Sequence, residues 1–303
     1  MKSTEIAERT RYLLSATQDT TGASIKSPNI KDALGIVQVA HAAGKQLREE
    51  KYGMRLKDKV AIITGAGGTI GSATARRFLR EGARLILTDL STGADACSSI
   101  VTEGGEAFFI EAEISRVSDT ERIINFAYAH FGRIDILFNN AGNDLNKSLH
   151  EYVENDYDSV INVHLKGSFF CTRYVLPIMM KQRSGSIVNM ASILGLSGFP
   201  LAANYCAAKG ALVNFTRSVA VEYAPYNIRC NSVCPGIVET EMLKRGLETH
   251  RENVQKMIDH HPMGRVAQPD EVASAVTFLA SDDASFITGV SLPVDGGYLA
   301  GKS

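Results

Sequence analysis

The strongest constraint on this chain is an alternation. From Lys57 to about Tyr298, short apolar runs are each followed by a stretch with apolar residues at helical spacing. The runs are KVAIITG (59–65), ARLILTDL (83–90), GEAFFIEAEI (105–114), IDILFNNAG (134–142), GSIVNMAS (185–192), NIRCNSVCPG (227–236) and GVSLPVDGG (289–297). The spacing predicts helices over 72–82, 119–132, roughly 155–182, 203–224 and 270–281. Strands separated by helices of this length pair in parallel, through right-handed crossovers that cover both faces of one sheet. The expected fold class is therefore α/β, a doubly wound parallel sheet forming a single domain over 56–303. Ligands of such sheets sit at the carboxyl ends of the strands, and the glycine-rich and polar clusters of this chain fall there.

Residues 1–55 stand outside the alternation. Ser3 and Asn29 are plausible caps for two amphipathic stripes, so an N-terminal extension, helical in character, is expected there. Its start lacks the apolar core of a signal peptide and carries Glu5, Glu8 and Asp19, and the expected location is the cytoplasm. With 32 basic and 33 acidic residues the formal charge is −1, which gives no electrostatic basis for nucleic-acid binding. No apolar run is long enough for a membrane span. The five cysteines (Cys97, Cys171, Cys206, Cys230, Cys234) are scattered and odd in number, the pattern of reduced thiols. No metal site is expected. His164, His250, His260 and His261 have spacing that suits none and read as solvated or packed.

The first turn of the alternation is the most informative. TGAGGTIG (64–71) places Gly65 directly after a strand and Thr69, Ile70 and Gly71 at the start of a helix. Such a turn brings backbone N–H groups and a helix N-terminus up to a pyrophosphate. Asp89 ends the next strand, where a carboxylate accepts hydrogen bonds from both hydroxyls of an adenosine ribose and repels a 2′-phosphate. Leu90 after it adds no positive charge. These residues favour NAD over NADP.

The stretch resembles the cofactor loop of the short-chain dehydrogenase/reductase family, whose pattern is T-G-x-x-x-G-x-G. Four more motifs of that family follow in order: NNAG at 139–142, an asparagine in INVHLKG at Asn162, Ser192 ahead of YCAAK at 205–209, and PGIVET at 235–240. The similarity spans residues 57–300. It departs at Thr69, which stands where the family has its middle glycine; a β-branched side chain there adds bulk and stiffens the backbone. The resemblance implies a Rossmann fold, a nicotinamide cofactor and a homo-oligomer, tetramer or dimer. It also implies that Asn140, Ala141 and Gly142 support the adenosine ribose, and that Glu113 and Ile114 flank the adenine. Pro235 and Gly236 would open the loop that meets the nicotinamide, with Val238 and Thr240 on its carboxamide. Asn162 would hold a water that links Lys209 to solvent, and Lys209 would also bind the nicotinamide ribose.

The chemistry follows from the residue types. Reducing a carbonyl by hydride leaves an alkoxide that needs a proton, and Tyr205 is the candidate donor. Its free phenol ionises near pH ~10, and Lys209, four residues on and on the same helical face, is expected to lower that value. Ser192 is placed to hydrogen-bond the substrate oxygen. The residues after each motif are Asn143 and Asp144; Ile193, Leu194, Leu196 and Phe199; and Met242, Leu243 and Leu247. They predict a largely apolar substrate cleft under a mobile lid near 238–262. The expected reaction is hydride transfer between NAD(H) and an apolar secondary alcohol or ketone. Two alternatives stay open: an NADPH-dependent 3-oxoacyl-carrier-protein reductase, and a non-catalytic NAD-binding sensor or scaffold.

Overall fold

The computed structural model describes residues 54–103 and 105–301. The N-terminal extension expected over 1–55 lies, but for its last two residues, outside them. Seven strands form one sheet: β1 (Val60–Thr64), β2 (Arg84–Asp89), β3 (Ala107–Glu111), β4 (Ile136–Asn139), β5 (Gly185–Met190), β6 (Ile228–Pro235) and β7 (Ser291–Val294). Their order is β3-β2-β1-β4-β5-β6-β7 and every pairing is parallel. The chain winds outward from β1 in one direction, then returns to start again at β4. Between the carboxyl ends of those two strands a crevice opens, the place where such sheets bind ligands.

The period-two pattern of β1 divides the core. Ala61 and Ile63 face one layer, with α1 (Thr69–Arg80), α2 (Ala94–Thr102) and the helix Pro269–Ala280. Ile62 faces the other, with α3 (Val117–Phe131), α5 (Ser168–Gln182) and α6 (Ala203–Tyr223). All five residues of β1 are buried, as a strand covered on both faces requires. The helix α2 was not anticipated. Its sequence, ADACSSIVT, is rich in serine, β-branched residues and cysteine, and packing rather than propensity holds it.

The helical stretch expected over 155–182 is not one continuous α-helix. It begins as α4 (Glu154–Ile161), passes through a π-helical turn at Asn162–Gly167, and continues as α5. Such a turn inserts a residue into the i→i+4 ladder and shifts which side chains face the core. The segment expected to form a lid is helical. It is a pair of short helices, α7 (Glu241–Thr249) and α8 (Arg251–Asp259), neither of which buries a residue, followed by α9 (Pro269–Ala280) in the sheet layers.

A chain of buried amides fixes α6 to the sheet. Asn139 Nδ2 donates to Asn189 Oδ1 (2.8 Å), Asn189 Nδ2 donates to Thr216 Oγ1 (2.9 Å), and Thr216 Oγ1 donates to the Leu212 carbonyl (2.7 Å). Asn189 and Thr216 are fully buried. Replacing Asn189 by leucine strands polar groups on both neighbours. Asn189→Leu should lower the free energy of unfolding by about 1–3 kcal/mol, read from the denaturant midpoint; an unchanged midpoint would show that the network adds no stability.

Candidate active site

The crevice is a cleft of about 750 Å³. Its cradle is built by tying two loops together. Thr64 Oγ1 accepts from the backbone N–H groups of Asn140 and Ala141 (3.0 Å each), and Asn140 Nδ2 donates to the carbonyls of Thr64 (3.0 Å) and Gly65 (2.9 Å). Gly65 has φ +64, and a Cβ on it would lie 2.7 Å from the Ala141 Cα. A Cβ on Gly71 would fall on the Gly65 carbonyl oxygen. Side chains are thus excluded where loop and helix meet. Thr69 causes no such conflict, since it is exposed at the first position of α1. That first turn has no acidic residue and no side-chain cap, so its N–H groups remain free for an anion. Ile70 lines the cleft beside it.

Asp89 ends β2 and accepts from the N–H groups of Gly67 and Leu90 (2.8 Å each). A Cβ on Gly67 would lie 2.6 Å from the Gly93 Cα, so the carboxylate sits in a slot framed by glycine. Leu90 is exposed at the cleft edge. Glu113 and Ile114 line the same end; Glu113 is paired with Arg116 at 2.7 Å, and Ile114 is buried. The cradle, the free helix terminus and the Asp89 carboxylate together fit a dinucleotide.

At the other end Ser192, Tyr205 and Lys209 share one wall. Ser192 follows β5, where its Oγ accepts from the Leu194 N–H (3.1 Å). Tyr205 is half-buried in the first turn of α6, and Lys209 is buried one turn on. Lys209 Nζ donates to the Met190 carbonyl (2.6 Å) and lies 5.3 Å from the Tyr205 ring centroid. The expectation that Lys209 makes the phenol acidic is not met. Burial pushes Tyr205 up to about 12; Ser192 favours the charged form, while Asp144 and Cys206 oppose it. Burial also brings Lys209 down to about 7. Burial dominates both shifts, and a lysine that loses its proton at about 7 no longer carries charge where a phenol at about 12 ionises. In the protein by itself Tyr205 is a protonated donor.

Asn162, expected to hold a water, is not among the residues that line the cleft. It caps the end of α4, and the π turn carries the next residues inward, so Val163 and His164 line the cleft instead. His164 was read as merely packed or solvated. It is buried, its ring meets Tyr205 edge-on at 5.4 Å, and its Nε2 bonds to Asn143. The π insertion that put it there has no signature in spacing.

The remaining wall rises from β6. Pro235, Gly236, Val238 and Thr240 all line the cleft. A Cβ on Gly236 would strike His261 Nε2, which accepts from the Ile237 N–H (3.2 Å); Nδ1 bonds the Met257 carbonyl (2.7 Å). His261 therefore joins this loop to the end of the lid. Val238 bridges to Ala267, and Thr240 caps α7 through the Leu243 N–H (3.3 Å). Of the apolar residues expected to line the substrate side, Leu194, Phe199, Met242 and Leu243 do. Ile193, Leu196 and Leu247 do not; Leu201, Val254 and Met257 take that role. The arc of the lid helices decides which side chains turn inward. Among the described residues no cluster of potential metal ligands occurs, and no helix is long and apolar enough to cross a membrane.

Comparison with known proteins agrees with this geometry. A family model described as enoyl-(acyl carrier protein) reductase matches residues 65–299. A meso-2,3-butanediol dehydrogenase of Serratia marcescens is 42% identical over 82% of this chain and 97% of its own length. A 3-oxoacyl-acyl-carrier-protein reductase of Thermotoga maritima is 42% identical over 80% of the chain and 99% of its own. A solved levodione reductase superposes with a TM-score of 0.78 at 35% identity, covering 82% of this chain and all (100%) of that one.

The titration of the wall is measurable. The near-ultraviolet phenolate signal lost on Tyr205→Phe should come from a group still protonated at about pH 10, the ordinary tyrosine midpoint. A difference signal that develops below that pH would contradict the dominance of burial.

Proposed function

The chain belongs to the short-chain dehydrogenase/reductase family, and from that premise we propose that it moves a hydride between NAD(H) and a largely apolar secondary alcohol or ketone. Enzymes of this family act on CH–OH groups with a nicotinamide cofactor. The observation that carries the reading is the cleft itself, with Ser192, Tyr205 and Lys209 at one end and the glycine cradle against Asp89 at the other.

Gly65, Thr69, Ile70 and Gly71 would hold the pyrophosphate, Asp89 and Leu90 the adenosine ribose, and Glu113 and Ile114 the adenine. Asn140, Ala141 and Gly142 would support the cofactor from β4. Lys209 would reach the nicotinamide ribose, with Pro235, Gly236, Val238 and Thr240 beside the nicotinamide. When bound, that ring gives the hydride to the carbonyl carbon or takes it from the carbinol carbon. Tyr205, protonated, gives its proton to the oxygen of a ketone as charge builds there. Ser192 donates a hydrogen bond to the same oxygen. In the opposite direction the phenol must first be ionised against the pull of burial, so alcohol oxidation is the more alkaline half of the reaction.

NAD rather than NADP is supported by the Asp89 carboxylate. Among the described residues that line the cleft, the lysine and arginine are Lys209, beside Tyr205, and Arg245, paired with Asp144. The apolar lining supports a substrate with little charge, and two relatives are named for secondary alcohols, butanediol and cyclopentanol. The Thermotoga maritima relative favours a second reading, a 3-oxoacyl thioester as substrate. We further place the protein in the cytoplasm as a homo-oligomer, tetramer or dimer. Exposed Tyr157, Phe169 and Val221 on α4, α5 and α6 supply apolar surface for it.

Turnover of simple ketones and alcohols, followed by nicotinamide absorbance, tests the reading. Tyr205→Phe should retain dinucleotide binding and lose about a hundredfold to ten-thousandfold in kcat. Initial rates should be higher with NAD than with NADP, and Asp89→Ser should narrow the gap. Faster turnover with NADPH on an acyl thioester would transfer the assignment to the second reading.

A further inference from the structure

One buried titratable group on the cleft wall has no part in the reaction just described. His164 is 1% exposed and lies between two things that must keep their spacing: the phenol of Tyr205 and the loop after β4. Its ring stands edge-on to Tyr205, with centroids 5.4 Å apart and planes at 85°. Nε2 lies 2.8 Å from the Asn143 carbonyl and 3.2 Å from the Asn143 N–H. The shorter contact assigns the proton to Nε2, leaving Nδ1 a bare acceptor, buried and without a protein partner. Gly142 packs so closely on the ring that a Cβ there would strike His164 Cε1. Burial, reinforced by the Lys209 charge, holds the imidazole down to about 3, so it is neutral at any working pH.

A phenyl ring would fill this space without stranding a nitrogen, which the buried imidazole does at a cost in stability. The polar ring therefore has a use beyond packing. Its Nε2–H is the tie between the π-turn segment and the Gly142–Asn143 turn, and Asn143 and Asp144 continue that turn along the substrate side of the cleft. We propose that His164 is a positioning residue for Tyr205: it ties the Gly142–Asn143 turn to the phenol wall, so that the proton donor and the substrate loop keep one fixed separation and the phenol stays shielded from water. The proposal rests on the dehydrogenase reading for its kinetic consequences alone.

The groups that face the phenol are Ser192 from the loop after β5, Asp144 from the loop after β4, and Cys206 and Lys209 from α6 itself, and burial, to which His164 contributes one wall, outweighs them. His164→Ala opens that wall to water. In the cofactor-free protein, Tyr205 ionisation, read as the absorbance difference from the matching Tyr205→Phe variant, should then move down toward the ordinary phenol value. In turnover, the alkaline rise of alcohol oxidation should shift the same way. His164→Phe keeps the wall dry but cuts the tie. It should leave the phenol titration in place, lower kcat for ketone reduction by about tenfold to a hundredfold through misplacement, and leave KM for the dinucleotide unchanged. His164→Gln, which still offers an N–H to Asn143, should recover part of the His164→Phe loss. Nitrogen NMR of His164 in the wild type should show Nε2 protonated, Nδ1 bare, and no titration from about pH 5 to about pH 8, the range of an ordinary histidine.

Folded His164→Ala with an unmoved Tyr205 titration would overturn the proposal, as would an Nδ1–H tautomer or His164→Phe with undiminished kcat. A wild-type protein that turns over no alcohol, ketone or thioester would instead defeat the dehydrogenase reading. The phenol titration and the NMR would still decide the role of His164.

Discussion

The site depends on a knot of four hydrogen bonds at the point where the sheet reverses its winding. The Thr64 hydroxyl receives two N–H groups from the β4 loop, and the Asn140 amide returns two N–H groups to the β1 loop. The strand ladder between β1 and β4 has ended here, although the Ala66 N–H still reaches the Thr88 carbonyl of β2. Side chains finish what the ladder cannot. The tie is possible because Gly65, at positive φ, lets the two backbones touch. From it the glycine cradle extends in one direction to Asp89 and the NNAG turn in the other to His164. A single local closure thus sets the spacing between cofactor end and substrate end.

Electrostatics at the far end works by burial more than by pairing. Two groups of opposite charge type sit one helical turn apart, yet each is shifted toward its neutral form: tyrosine up to about 12, lysine down to about 7. Proximity alone would favour the charged pair. Low polarity wins here because burial is the largest influence on each group, and Lys209, brought down to about 7, is neutral by the pH at which the phenol ionises. A site prepared this way keeps the phenol protonated, so that it can supply the much more basic oxygen that hydride addition creates. Accepting one requires additional positive charge beside the phenol, which an oxidised nicotinamide carries.

Much of this was legible in the sequence. Each of the strand runs became a strand, because a buried parallel strand has to be apolar throughout and short. The glycine turn and Asp89 were legible because backbone approach leaves few residue choices. What the sequence hid depends on rotation about a helix axis. The π turn at Asn162–Gly167, which brings Val163 and His164 to the cleft wall, has no signature in spacing. The arc of α7 and α8 exchanged Leu247 for Val254 and Met257 on the cleft wall. Periodicity assumes an ideal helix, so a single inserted residue is enough to misassign a face. The sign of the Tyr205 shift was hidden for a different reason: spacing gave the nearness of Lys209 but not the burial that outweighs it.

The two histidines dismissed as packing share one arrangement, and that likeness argues for a common cause. His164 abuts Gly142, and His261 abuts Gly236. In each case the glycine opens a loop after a central strand, and the histidine carries a hydrogen bond from that loop to another element. His164 leads to the wall of Tyr205, and His261 leads through the Met257 carbonyl to the end of the lid. An imidazole suits this task because it is a rigid flat ring with polar atoms on its edge: His261 uses both nitrogens, and His164 uses Nε2 for the Asn143 backbone. A loop at a strand end has backbone groups that the sheet leaves unpaired, and a flat ring reaches them only if the facing residue has no Cβ. The glycine and histidine of each pair thus work as a unit: enlarging the one removes the space in which the other makes its bond.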